Sequence, residues 1–425
     1  MACHIFCTLC LYLSTVGLAL SNDMLVDLRA NLAQPVRQFQ RRAFGILHSF
    51  NATYPPSDTV RPLHLHMYRG PERFRLYDHN CSELPCPWLF ANVNRLVSMG
   101  TNIQFLLSDI YFAWRDHIGL PDSLLPGDNK NFTLWENVVT FSVKWTLALG
   151  HEDIMWDIYN EPNIGFENRS IFQFYEVWRR AYQIIKSFKS DLIVIGPSVA
   201  DLGWDDKVFP WIQKFLLVQA QKNLLPDILC WHVGYSNGSD LVQQHEQIRS
   251  FLVAHNLFIP KIAHNEVIGP AGSLSPGVCV SFLANLERLN VDHACRACWR
   301  EYDPVSDKRY DSCWDQTLDG LLTADGKFKP RSVWWVYQWY GEMNGHIYPL
   351  EGEMLQNAID GLVVYNGSTI TALLGQIGDR ADGLVINLTV ANVTTWKRAA
   401  LTAWWSPFTG MEALLSPAVI LTQFQ

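Results

Sequence analysis

Between Arg42 and Met343 the chain alternates short β-branched or apolar runs with stretches of helical period, and this rhythm limits the available folds more than any other feature. A strand followed by an amphipathic helix returns to its sheet as a parallel neighbour, so repeated units of this kind build a parallel sheet covered by helices. Eight runs fit the strand pattern: Ala43–His48, Leu63–Tyr68, Asn102–Leu107, Ile154–Tyr159, Leu192–Gly196, Ile228–His232, Lys261–His264 and His293–Trp299. Helical runs fall between several of them, at Pro87–Val97, Trp135–Ala148, Ser170–Phe188 and Val278–Leu289, and another follows at Arg331–Met343. Eight units close into an α/β fold of the (β/α)8 TIM-barrel type, expected over residues 42–344. A doubly wound open sheet competes, but no glycine-rich phosphate loop follows the first run, which speaks against its nucleotide-binding version.

After Met343 the pattern changes to strands with turn signals, at Leu362–Tyr365, Ile370–Leu374, Gly383–Leu388 and Leu401–Trp405, with Asn366-Gly367 as a tight turn. A small β-sandwich over residues 345–425 fits this tail, and residues 22–41 are expected to join it. No internal repeat or low-complexity tract is present.

Composition excludes several classes of function. With 41 acidic against 33 basic residues the net charge is −8, and Lys and Arg are scattered, so no basic face for nucleic acid is expected. A chain that is 48% hydrophobic and 17% charged has enough apolar surface for a large core, which excludes disorder.

The apolar stretch Phe6–Leu20 ends in small residues and is followed by Asn22-Asp23, the pattern of a secretory leader over residues 1–21; an uncleaved membrane anchor is the alternative. Glycosylation sequons begin at Asn51, Asn80, Asn131, Asn168, Asn237, Asn366, Asn387 and Asn392, which agrees with a secreted glycoprotein. An extracellular or lysosome-like destination fits equally, with no membrane association once the leader is cut. Cys81 and Cys86 are close enough to staple one loop, and Cys279, Cys295, Cys298 and Cys313 allow two bridges, leaving Cys230 as a buried thiol. The pair Cys295/Cys298 lacks a second ligand pair at zinc spacing, so no metal is expected.

In a (β/α)8 barrel the reacting groups sit at the C-terminal ends of the strands. Strand four ends in MWDIYNEPN, which places Glu161 between Asn160 and Pro162, and strand seven ends in KIAHNEVIGP, which places Glu266 in the equivalent position. Two carboxyl groups about 5–5.5 Å apart suit glycoside hydrolysis with retention, one protonating the leaving oxygen and the other attacking the anomeric carbon. An acid must keep its proton, so the carboxyl of Glu161 is expected to be raised by apolar neighbours such as Trp156 or Tyr159 and by its proximity to Glu266. Either glutamate alone is equally a residue favoured by a helix N-terminus.

The segment WDIYNEPN resembles the WE(V/I)WNEPN of glycoside hydrolase family 39, which contains β-xylosidases and α-L-iduronidases within clan A. IKSFKSDLIVIGPS and DGLLTADGKFKPRSVWWVYQWYGEM are further echoes, and the resemblance runs over most of the chain. It implies a retaining glycosidase without metal or cofactor, acting on a carbohydrate partner, with Glu161 as acid/base, Glu266 as nucleophile and Asn160 on the sugar 2-hydroxyl. It also carries over His66 at strand two, His232 and Tyr235 near the nucleophile at strand six, and Trp299 as a platform under the sugar. For His66, His232, Tyr235 and Trp299 a purely structural role is the alternative. The sequence departs from the family where His64-Leu65-His66 stands for Arg-x-His and where Asn265 and Val267 flank Glu266, which leaves the sugar open. A carbohydrate-binding glycoprotein that has lost turnover is the competing reading. Tyr111 and Trp114 are candidates for outer subsites, and Asp109, Asp157 and His264 for hydrogen bonding inside the barrel.

Overall fold

The computed structural model describes residues 7–13, 24–71, 87–201, 208–234, 238–270, 272–303, 308–313, 315–352, 359–377, 384–392, 399–404 and 418–424. They form two compact units, one of Arg42–Pro270 and Leu289–Phe328, the other within Met1–Arg41, Ala271–Arg288 and Lys329–Gln425.

The first unit is a closed barrel of eight parallel strands. They are β1 (Gly45–Leu47), β2 (Met67–Gly70), β3 (Asn102–Leu106), β4 (Met155–Asp157), β5 (Val194–Val199), β6 (Ile228–Trp231), β7 (Lys261–Val267) and β8 (Ala294–Arg296). The barrel closes where Arg296 of β8 pairs with Ile46 of β1. All eight expected strands overlap observed ones, but β2 begins four residues later than its apolar run. Arg61–Leu63 form a 3-10 turn that ends in left-handed His64, so the chain becomes extended only at Met67.

The helix Ile171–Phe188 shows how the barrel is covered. Ser170 caps it by accepting a hydrogen bond from the Phe172 N–H, and Phe174, Tyr175, Val177, Trp178, Ala181 and Ile185 bury one stripe at helical spacing. Burial of each large apolar side chain contributes about 2 kcal/mol. The Trp178 ring lies so close to β5 that a Cβ on Gly196 would stand 2.6 Å from it, which excludes any larger residue there.

Two irregularities shape the barrel mouth. In β7, His264 pairs with Ala294 and Val267 with Arg296, so three steps of β7 match two of β8. In β5, Pro197 pairs with Cys230 and Val199 with Trp231, which leaves Ser198 as an extra residue with φ 55°. A bulge breaks the alternation of side chains and re-aims those beside it.

The second unit contains two sheets. In one, Leu384–Ala391 lies between Cys7–Leu13 and Met24–Asn31, and Leu350–Gly352 pairs beyond the latter. The other has six strands and includes Ile359–Tyr365 and Ile370–Gln376, joined by a turn in which Asn366 Oδ1 accepts the N–H groups of Ser368 and Thr369. Val26, Leu28, Ile359, Val363, Leu374, Ile386 and Leu388 belong to a single buried cluster. The helices Pro276–Arg288 and Ser332–Glu342, which the strand rhythm assigns to the barrel, group with this unit. There Asp360, 1% exposed, accepts hydrogen bonds from Ser281, Asn285 and Arg288.

Of the expected disulfides, Cys298–Cys313 is formed. The second bridge of that group is not: Cys279 and Cys295 are both buried thiols. Cys279 sits 3.9 Å from the carbonyl oxygens of Gly272 and Ser273, whereas Cys295 lies on β8 beside Gly45, so the two are built into different surroundings. Cys230 is a buried thiol, as expected, and Cys81 and Cys86 lie outside the described residues.

On the outer side of β7, His264 Nδ1 stands 3.2 Å from the Trp231 carbonyl, and its Nε2 is 2.6 Å from His245 Nε2. A carbonyl only accepts, so His264 Nδ1 carries the proton and its Nε2 accepts from His245. Burial, then Arg249, lowers the pKa of His245 to about 3, and burial, then His245, holds His264 well below the usual imidazole value. The unfolded chain takes up these protons near pH 6.5 and the folded chain does not, so stability is complete above that pH and declines as pH falls below it. Between pH 7 and pH 5 His245 is expected to cost about 2 kcal/mol of unfolding free energy. Denaturant titrations of His245→Leu across this range will show a correspondingly flatter decline; an unchanged slope rules out this origin of acid sensitivity.

Candidate active site

The barrel mouth is organised around Arg69, near the end of β2 and fully buried. Its Nε donates to Asp157 Oδ2 at 2.8 Å, Nη1 to Glu266 Oε1 at 2.8 Å and Nη2 to Asn160 Oδ1 at 2.7 Å. Burial acts to strip its proton, but the carboxylates of Asp157 and Glu266 outweigh burial and keep it charged. The guanidinium fork has fixed directions, so one side chain sets the relative positions of three others.

Asp157, also fully buried, ends β4. Besides Arg69 it accepts from Gln104 Nε2 at 2.8 Å, Asn265 Nδ2 at 2.9 Å and Ser198 Oγ at 2.8 Å. The two bulges supply partners here. Asn265 reaches inward to Asp157 while its neighbour Glu266 reaches inward to Arg69, which strict alternation along β7 forbids. Ser198 turns its hydroxyl to Asp157 and uses its carbonyl to accept the N–H of Glu161 at 2.9 Å.

Glu161 holds the left-handed conformation (φ 49°, ψ 53°) just before the short helix Pro162–Gly165. This is a strained backbone for a residue with a Cβ, of the kind that clusters at functional sites. Its side chain is 33% exposed and that of Glu266 17%, so solvent reaches both. His232, following β6, places Nδ1 3.1 Å from Glu161 Oε1 and 3.7 Å from Glu266 Oε2. One oxygen of each glutamate and a ring nitrogen of His232 lie within 4.8 Å of one another. A cation placed among these atoms meets the fixed positive charge of Arg69 already bound to Glu266, which disfavours a metal.

The expectation of a raised acid at Glu161 is not met. Burial does push its pKa up, but the hydrogen bond from His232 and the charges of His232 and Arg69 pull it further down, below the ordinary carboxylate range. Trp156 and Tyr159 do not supply the expected apolar walls: Trp156 packs on Phe105, and Tyr159 turns into a ring cluster with Phe112, Trp135, Phe166 and Phe174.

Asn160, Glu161, His232 and Glu266 are therefore brought together. Trp299 follows β8, donates from Nε1 to the Ile268 carbonyl at 2.8 Å, and lies over Gly234, where a Cβ would stand 3.5 Å from the ring. His66 is not part of this group. It precedes β2, donates its N–H to the Phe44 carbonyl and accepts the N–H of Asn102, and so stands where the strands begin. The late start of β2 moves the mouth position from His66 to Arg69. Tyr235 lies outside the described residues. Tyr111 is buried against Phe112 and Trp135 and lines no subsite, while Trp114 packs on His117. Sequence reasoning also missed His48, which ends the β1 region 3.4 Å from Asp109 and whose pKa is lowered to about 3 by burial and then by Arg69. The signal for Arg69 was its place in Tyr68-Arg69-Gly70-Pro71, a lone charge where an apolar run stops.

Replacing Arg69 by Met leaves Asp157 buried without its counter-charge, which costs about 3–5 kcal/mol. Denaturant unfolding of Arg69→Met is expected to show that loss; a change under about 1 kcal/mol refutes the assignment of this pair as the centre of the mouth.

No family model and no curated protein matches the chain. Solved structures do. N2152 from Neocallimastix frontalis aligns with a TM-score of 0.65 at 20% identity, covering 83% of this chain and 81% of that one. A monomeric β-xylosidase from Caulobacter crescentus aligns with a TM-score of 0.62 at 12% identity over 94% and 98% of the two chains. A bacterial orthologue of human α-L-iduronidase aligns with a TM-score of 0.57 at 12% identity over 89% and 67%. In fold the chain is thus similar to clan A glycoside hydrolases of the β-xylosidase and iduronidase-like kind.

Proposed function

We propose that this chain is a retaining glycoside hydrolase that cleaves O-glycosidic bonds of a β-linked, or geometrically equivalent, sugar by double displacement. The observation that carries this reading is the pair of solvent-reached carboxylates, Glu161 and Glu266, whose nearest oxygens lie within 4.8 Å. That separation fits direct attack and leaves no room for the intervening water of an inverting enzyme, which needs about 6.5–9.5 Å.

Glu266 is the nucleophile. Arg69 holds its Oε1, which leaves Oε2 to attack the anomeric carbon while Glu161 gives its proton to the departing oxygen. Formation of the glycosyl ester removes the charge of Glu266, and Glu161, now ionised, takes a proton from the water that hydrolyses the ester. Asn160 has its Oδ1 committed to Arg69, so its NH₂ is the group available to the sugar 2-hydroxyl. His232 donates toward Glu161 and is within reach of Glu266. The accessible pair favours turnover over mere sugar binding.

A 2-fluoro glycoside accepted by the enzyme is expected to label Glu266, with Glu266→Gln losing both label and activity; full activity in that variant overturns the assignment. The lowered pKa of Glu161 gives a pH dependence with a definite sign. Free enzyme retains the Glu161 proton only in acidic solution, so kcat/KM falls as pH rises through the pKa of that group. Removing His232 relieves the largest force lowering it, so His232→Ala moves the descending limb of kcat/KM to higher pH; an unmoved limb shows that another group sets it.

The protein is secreted after loss of residues 1–21. Cys7–Leu13 is an edge strand, so its removal leaves the pairing of Leu384–Ala391 with Met24–Asn31 in place. N-terminal sequencing of secreted material is expected to begin at Asn22, whereas retention of Met1 contradicts cleavage.

A further inference from the structure

A line of buried polar groups continues from Asp157 away from the mouth. Asp157 accepts from Arg69, Gln104, Asn265 and Ser198, a set of donors that only a carboxylate anion satisfies. Its demand fixes the amide of Gln104, whose Nε2 must face Asp157 and whose Oε1 therefore faces His293 Nε2 at 2.8 Å. An amide oxygen only accepts, so His293 donates from Nε2; its Nδ1 lies 3.1 Å from Asp292 Oδ2. Asp292 in turn binds Lys261 Nζ at 2.9 Å, where the lysine side chain is half exposed at the start of β7.

The barrel interior thus holds a hydrogen-bonded column of polar groups, from Glu266 through Arg69, Asp157, Gln104, His293 and Asp292 to Lys261. Gln104, Asp157 and His293 are each fully buried. His66 and His264 lie within electrostatic reach of His293, and both are held neutral: burial, followed by His293, lowers the pKa of His66 to about 4, and burial, followed by His245, holds His264 well below the usual imidazole value. Buried charge in a barrel core adds little net stability compared with well-packed apolar side chains. What the column does provide is direction, because every carboxylate and amide along it has a single satisfied orientation.

We propose that Gln104 and His293 are positioning residues for the hydrolytic site. The Nε2–H of His293 locks the polarity of the Gln104 amide, the amide holds the Asp157 carboxylate, and Asp157 aims the Arg69 fork at Glu266 and Asn160. This rests on the glycosidase reading above for its consequence in catalysis, but the hydrogen-bond column is testable without turnover.

The experiment compares the wild type with Gln104→Leu and the double variant Gln104→Leu/His293→Leu. Both are measured for folding, for kcat and KM on an aryl glycoside that the wild type cleaves, and for the ring nitrogens of His293 by 15N NMR where that residue remains. In the wild type His293 Nε2 is expected to carry a proton donated to Gln104, and in Gln104→Leu the Nε2 signal is expected to move because its acceptor is gone. Misplacement of Arg69 is expected to lower kcat in both variants by about 10–100-fold with KM altered less than threefold. The double variant removes both polar partners and so recovers stability without recovering kcat, whereas a merely structural role predicts that activity returns with stability. Wild-type rates in either folded variant, or an unprotonated Nε2 on His293 in the wild type, overturn the proposal. If the wild type cleaves no glycoside in a broad panel, the glycosidase reading fails on its own, and the nitrogen signals still decide the column.

Discussion

The buried pair of Arg69 and Asp157 is the interaction on which the rest of the mouth depends. An arginine with no exposed surface is tolerated only if its donors are matched, and here Nε, Nη1 and Nη2 each meet a different acceptor. Because the guanidinium is planar and rigid, satisfying it also fixes the distances between Asp157, Glu266 and Asn160. Glu266 and Asn160 are thereby located by a third side chain that is itself fully buried.

That arrangement needs side chains from adjacent positions to point the same way, which a regular strand does not allow. The bulge in β7 lets Asn265 and Glu266 both face inward, and the bulge at left-handed Ser198 turns its hydroxyl to Asp157 while its carbonyl holds Glu161 from behind. The strain at Ser198 and Glu161 is offset by the hydrogen bonds that these conformations complete. Architecture and chemistry meet at these irregular positions rather than along the regular parts of the strands.

The regular parts were legible in the sequence, and the irregular ones were not. Apolar runs and helical periods revealed eight strands and the helices between them because each pattern follows directly from burial of one face. The two glutamates were legible because position at a strand end is a matter of counting. The start of β2 was not, since Leu63 and Leu65 are apolar yet belong to a turn and its exit, and so His66 was placed where Arg69 stands. The two bulges leave no trace in polarity, and the direction of Tyr159 depends on rings contributed by Phe112, Trp135, Phe166 and Phe174 from elsewhere in the chain. The sign of the shift at Glu161 depended on His232, whose Nδ1 position is a property of packing between β5, β6 and β7.

If Glu161 and Glu266 break a glycosidic bond by two successive displacements at one carbon, the anomeric configuration of the substrate is kept. The most direct measurement is the anomeric configuration of the first sugar released from an aryl glycoside, followed by 1H NMR before mutarotation. Release with the configuration of the substrate is the predicted result; release with the opposite configuration contradicts the account.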